Sequence, residues 1–232
     1  MMATTGDRED SSSTFAELVI VRHGETSCNA SRILQGHIDS ELNDIGRKQA
    51  IAVSSYLAKE GKFSAIYSSD LQRASETASI IASGCSLREV VLDPSLRERH
   101  LGDLQGLTLR DAQKLKPFAY KLFLSAKREQ ELPGSGESLD QLHKRCTSCL
   151  EHIAKKHQGE QIILVTHGGV LRELYRKACP LGSMHGTIKN TSINVIRIYS
   201  NGKWCIKKWG DVSHLQEIGF KEDAFGGDKA SG

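Results

Sequence analysis

Leu18-Val19-Ile20-Val21 and Ile162-Ile163-Leu164-Val165 are unbroken apolar runs rich in β-branched side chains. A strand covered on both faces reads this way, because neither set of alternating side chains meets water. Each run stops at a histidine followed by glycine, in Arg22-His23-Gly24 and in Thr166-His167-Gly168-Gly169. Phe63 to Tyr67 and Val90 to Leu92 read as two further strands.

Apolar positions spaced by three and four lie between these runs. Asn43 can cap a helix carrying Ile45, Ala50, Val53 and Leu57 and ending near Gly61. Ser69 and Asp70 are the expected N-caps of a second helix, with Leu71, Ala74, Ala78 and Ile81 on one face and Gly84 as its stop. From Thr108 to Arg128 the pattern is helical but broken at Pro117, which predicts two short helices outside the sheet, forming a lid. Ser138-Leu139-Asp140-Gln141 is a capping box, followed by Leu142, Cys146, Cys149 and Ile153. Val170 to Ala178 predicts one more helix. Thr191 to Tyr199 and Lys203 to Trp209 flank Asn201-Gly202, a strong signal for a tight hairpin.

Strands alternating with helices predict a single-domain, three-layer α/β/α fold with a mostly parallel sheet, an antiparallel edge and a helical lid insertion. Length agrees, since 232 residues suit one core better than two at roughly 150 residues per domain. Residues 1–14 read as a disordered tail, 15–215 as the domain and 216–232 as a flexible C-terminal tail. The antiparallel edge offers a surface for a homodimer.

Composition then removes whole classes of function. No apolar stretch approaches the roughly 20 residues that span a bilayer, so no membrane partner is expected. The first fourteen residues include Asp7, Glu9 and Asp10 and lack an apolar core, unlike a signal or transit peptide. A net charge of +3 with no basic block argues against nucleic acid. Six scattered cysteines without a secretory signal point to reduced thiols and a cytoplasmic setting. Cys146 and Cys149 have the spacing of a redox or zinc pair, but they sit inside a helical apolar pattern and read as helix packing.

In an open parallel sheet, ligands bind where strands end and helix N-termini converge. His23 and His167 both stand at such an edge, with Arg22 beside them. Arg73, early in the helix after the second strand, supplies a guanidinium able to hold phosphate bidentately. Two arginines, two histidines and helix N-terminal amides together suit a dianion, which indicates a phosphoryl ligand. Taken singly, each has an ordinary structural explanation: a histidine after a strand, a solvated helix arginine.

The order of the motifs is more specific than any one of them. Arg22-His23-Gly24-Glu25-Thr26 with Asn29 resembles the signature of the histidine phosphatase superfamily, in its phosphoglycerate mutase-like branch. Ser68-Ser69-Asp70-Leu71 with Arg73-Ala74 and Thr77-Ala78, Leu96-Arg97-Glu98 with Gly102 and Gly106, and Thr166-His167-Gly168-Gly169 resemble that branch's later blocks. The resemblance implies that His23 attacks phosphorus while Arg22, Arg73 and His167 hold the phosphoryl oxygens. It implies Glu98 as proton donor, and Asn29, Gln35, Gly36 and Gly168 as contacts to phosphate or substrate. It implies a small phosphate ester as the substrate and no cofactor or metal, arginines taking the charge-neutralising task of magnesium. Gln105 departs from the branch's usual glutamate, which keeps length and hydrogen bonding but loses a charge.

Mutases of the branch have a long Arg-containing insertion after the acid block, whereas here only a short stretch separates Gly106 from Gly134-Ser135-Gly136-Glu137-Ser138. Hydrolysis of small phosphate monoesters, such as phosphorylated sugars or glycerates, through a phosphohistidine on His23 is therefore the expected function. A phosphoglycerate mutase and a retired member that only binds a phospholigand or a protein are the alternatives. Of the lid cations Arg110, Lys114, Lys116, Lys121, Lys127 and Arg128, most read as solvated helix charges.

Overall fold

The computed structural model describes residues 14–182 and 187–218. The expected N-terminal tail, apart from Thr14, and most of the expected C-terminal tail lie outside the described residues. Among the described residues six strands form one sheet in the order β3-β2-β4-β1-β5-β6. They are β1 (Phe15–Arg22), β2 (Ala65–Ser68), β3 (Val90–Leu92), β4 (Gln161–Thr166), β5 (Ile193–Tyr199) and β6 (Trp204–Asp211). The first four run parallel, and β5 and β6 form an antiparallel hairpin against β1.

Among the described residues seven α-helices accompany the sheet: α1 (Ser27–Ala30), α2 (Asp44–Glu60), α3 (Gln72–Gly84), α4 (Leu109–Leu115), α5 (Pro117–Phe123), α6 (Leu139–Lys156) and α7 (Gly168–Ala178). One core cluster joins Leu18, Ile20, Ile162 and Leu164 to Leu142, Leu150 and Ile153 of α6 and Leu171 and Leu174 of α7. A second joins Val19, Val21, Ile163 and Val165 to Val53 and Leu57 of α2 and Ala74, Ala78 and Ile81 of α3. Alternate residues of the two central strands thus feed opposite faces, which is why both runs are apolar throughout.

A third, smaller cluster holds α4 and α5 through Ala112, Ala119 and Phe123 against Leu34, Leu101, Leu104 and Leu132. The helix break falls at Pro117 as read. Lys116 pairs with Asp103 at 3.1 Å, and Arg128 ties the following loop to Glu173 at 2.6 Å and Asp140 at 3.0 Å. Cys146 and Cys149 are buried in α6, and burial pushes the Cys146 thiol up to about 12. That environment fits packing and holds a thiolate in check.

Three local expectations need correction. The second strand begins at Ala65 rather than Phe63. Ile45 is 51% exposed, because Gly46 and Gln49 take the inward positions of that turn. Helix α3 starts later than read, with Leu71 at its N-cap and no capping side chain on that residue. The Asp70 carboxylate is taken by Arg97, and the Gln72 N–H goes to Asp39 Oδ1 at 2.6 Å. A distant carboxylate serves the helix end in place of the adjacent one.

Candidate active site

Register places the two histidines. Arg22 of β1 pairs with Thr166 of β4, so the next residue of each strand leaves the sheet at the same level. The His23 and His167 ring centroids lie 5.1 Å apart at 55°. His23 N–H donates to Thr166 O at 2.9 Å, and Asn190 Nδ2 donates to His23 O at 2.9 Å, which fixes the backbone from both sides. Thr191 N–H donates to Arg22 O at 3.0 Å with φ of +54°, an unusual conformation for a β-branched residue, held beside the nucleophile candidate.

His23 Nδ1 lies 2.7 Å from Gly24 O. A carbonyl only accepts, so Nδ1 carries the proton and Nε2 the lone pair. Burial lowers the His23 proton affinity well below that of an ordinary imidazole, with Arg73 and then Arg22 adding to the effect. Burial does the same to His167, followed by Arg73 and His23. Both rings are therefore neutral near neutral pH. His167 has neither ring nitrogen hydrogen-bonded, although both are buried.

Arg73 is 1% exposed, against the usual fate of a helix arginine. Its Nη1 donates to Ile38 O at 2.7 Å and its Nη2 to Gly36 O at 2.8 Å, leaving Nε buried and unbonded. Burial brings it down to about 10, opposed mainly by Glu98, so the guanidinium stays charged. Gly36 can present that carbonyl because its φ is +52°, and an added Cβ would meet Gln105 Oε1 at 2.3 Å. Arg22 donates to Ile188 O.

Glu98 reaches the same edge from the loop after β3. Its Oε1 accepts Arg99 N–H at 2.8 Å and its Oε2 accepts Gly169 N–H at 3.0 Å, which sets the carboxyl at the N-terminus of α7 beside Gly168. His23, His167, Arg22, Arg73, Glu98 and Gly168 are thus brought to one edge. At Asn29 and Gln35 the amide oxygens serve the loop. Asn29 Oδ1 accepts Thr26 N–H at 3.1 Å, and Gln35 Oε1 lies 3.0 Å from Thr26 Oγ1. Gln105 Oε1 accepts the N–H of His37 at 2.7 Å and of Leu101 at 3.3 Å, so an amide oxygen suffices at that position.

Sequence reading missed Thr77, whose Oγ1 accepts Gly24 N–H at 3.0 Å, and also Asn190 and Arg145. Thr77 sat inside a quoted motif without a role. Asn190 and Arg145 look like a loop polar residue and a helix charge, and only the fold reveals their partners.

The chain also resembles known proteins. The family model described as histidine phosphatase superfamily (branch 1) matches residues 18–212. The chain is 56% identical to phosphoglycerate mutase-like protein 4 of Arabidopsis thaliana, over 94% of this chain and 95% of that one. It is 48% identical to the metal-independent phosphoserine phosphatase of the same plant, over 93% and 90%. Among solved structures, phosphoserine phosphatase from Entamoeba histolytica in complex with 3-phosphoglyceric acid superposes with a TM-score of 0.73 at 28% identity, covering 86% of this chain and 99% of that one. A mycobacterial glucosyl-3-phosphoglycerate phosphatase complexed with VO3 superposes with a TM-score of 0.72 at 30% identity, covering 83% and 98%. The chain belongs to the histidine phosphatase superfamily, branch 1.

Proposed function

We propose that the protein hydrolyses small phosphate monoesters by two displacements at phosphorus, with His23 as the nucleophile. One observation carries this reading: a neutral imidazole with its lone pair on Nε2 lies at a buried edge with Arg22, Arg73 and a second neutral imidazole. His23 Nε2 attacks phosphorus, and the ester oxygen leaves with a proton from Glu98. Water then attacks the phosphohistidine, giving its proton to Glu98 and releasing phosphate. Arg22, Arg73, His167 and the N-terminus of α7 hold the phosphoryl oxygens throughout.

The cations act twice. They stabilise charge gathering on the phosphoryl oxygens, and they keep the nucleophile from protonating. The relatives named as phosphatases act on phosphoserine and glucosyl-3-phosphoglycerate, which supports a small, carboxylate-bearing phosphate ester as substrate. The test is a turnover screen in excess chelator with phosphoserine, 3-phosphoglycerate and sugar phosphates. Phosphate release is expected. Accumulation of 2-phosphoglycerate from 3-phosphoglycerate and a bisphosphate primer, without phosphate release, would make the protein a mutase instead.

A further inference from the structure

The backbone that carries Glu98 is held at every carbonyl from Ser95 to Glu98. Thr166 Oγ1, one residue before His167, donates to Leu96 O at 2.7 Å. His37 Nε2 donates to Glu98 O at 2.7 Å. The rest come from one side chain on α6. Arg145 Nη1 donates to Ser95 O at 2.9 Å and Arg97 O at 2.7 Å, and Nη2 donates to Glu98 O at 2.8 Å. Its remaining donors meet Glu137 side on, Nε to Oε1 at 2.6 Å and Nη2 to Oε2 at 2.8 Å.

All five N–H groups of the guanidinium are engaged, three on the acid loop and two on a carboxylate that aims them. A lysine has three donors on one rotatable point and cannot reproduce that planar arrangement. Glu137 is itself oriented, its Oε2 accepting His100 N–H at 2.8 Å. An error of about 1 Å in placing a reacting group can cost about 100-fold in rate.

We infer that Arg145 is a positioning residue that sets the Glu98 carboxyl against the leaving-group oxygen by gripping the backbone on which it stands. This rests on the reading of Glu98 as proton donor. Arg145 acts through Glu98, so in the first displacement its loss is felt only where the leaving group needs a proton.

The experiment compares phosphoserine, whose alkoxide leaves poorly, with p-nitrophenyl phosphate, whose phenolate needs little help. Read in kcat/KM, which reports the first displacement and not the later attack of water, Glu98→Gln should lose about 10²- to 10⁴-fold on phosphoserine and far less on the aryl ester. Arg145→Lys, which keeps the charge, should lose about 10-fold or more on phosphoserine and less than about 2-fold on the aryl ester. The double variant should be no slower than Glu98→Gln alone, because both act on one proton transfer. Glu137→Gln, which frees the guanidinium without removing it, gives the same selective loss on a smaller scale and stands in should Arg145→Lys fail to fold. Equal losses on both esters, or losses that multiply in the double variant, would overturn the positioning role while leaving Glu98 in place. Equal losses in Glu98→Gln itself would remove Glu98 as acid, and the role of Arg145 with it.

Discussion

Strands β1 and β4, each taken with the residue that follows it, contain two regions that are buried to the same depth and are chemically opposite. Leu18, Ile20, Ile162 and Leu164 are fully buried and apolar, and they hold the sheet between its helix layers. One step further, Arg22, His23, Thr166 and His167 are 2%, 2%, 0% and 0% exposed and polar. Removing water from the apolar region stabilises the fold, at about 25 cal/mol per Å² of buried apolar surface. Removing it from the polar tip costs stability, since His167 leaves both ring nitrogens and Arg73 its Nε without a hydrogen-bond partner. The same burial keeps the imidazoles neutral and the arginine field undiluted, so the strand body carries the fold and, on the proposed function, the tip carries the chemistry.

Substitutions on either side of that boundary should separate the two. His23→Ala is expected to lower kcat by about 10⁴-fold or more while the protein stays folded, read by turnover and a melting curve. Ile20→Ala, three residues earlier, should cost about 2–5 kcal/mol of stability and leave kcat per folded molecule near normal. Arg73→Lys should lower kcat/KM by about 100-fold, because a point charge cannot hold Gly36 O, Ile38 O and phosphate together. Loss of activity in Ile20→Ala at temperatures where it is fully folded would erase the boundary.

Acid provides a graded probe. His23 and His167 are held below the ordinary imidazole value of 6.5, and His214, also buried, is held down to about 4. These groups stay neutral in the folded chain and take up protons on unfolding, so acid favours the unfolded state. The unfolding free energy should fall as pH drops below about 6.5, by about 1.4 kcal/mol per pH unit for each such histidine until its folded-state value is reached, read by denaturation curves. Activity per folded molecule should persist below pH 6.5, because the His23 lone pair remains available. An acid limb centred at the ordinary imidazole value would contradict that. The smallest effect belongs to Gln105→Glu, expected to change stability by less than about 1 kcal/mol, since the oxygen that accepts two backbone N–H groups is kept.

The two buried strands were legible because a run apolar on both alternations has one common explanation. The histidines after them were legible as a pair because parallel strands must end at the same edge. The start of α3 was not, because Asp39, more than thirty residues away, supplies the acceptor that a neighbouring side chain usually provides. Asn29 and Gln35 matched a motif, yet motif spacing does not reveal that their amide oxygens bond Thr26. Arg145 was invisible for a related reason: an arginine on an amphipathic helix looks alike whether it meets water or three carbonyls.

The central claim is that phosphorus bonds to His23. Protein mixed with radiolabelled phosphoserine, quenched in alkali within one turnover and mapped by peptide mass spectrometry should carry an acid-labile, base-stable phosphoryl group on His23. Label on His167 or on a serine, or full phosphate release by His23→Ala with no adduct in the wild type, would contradict the account.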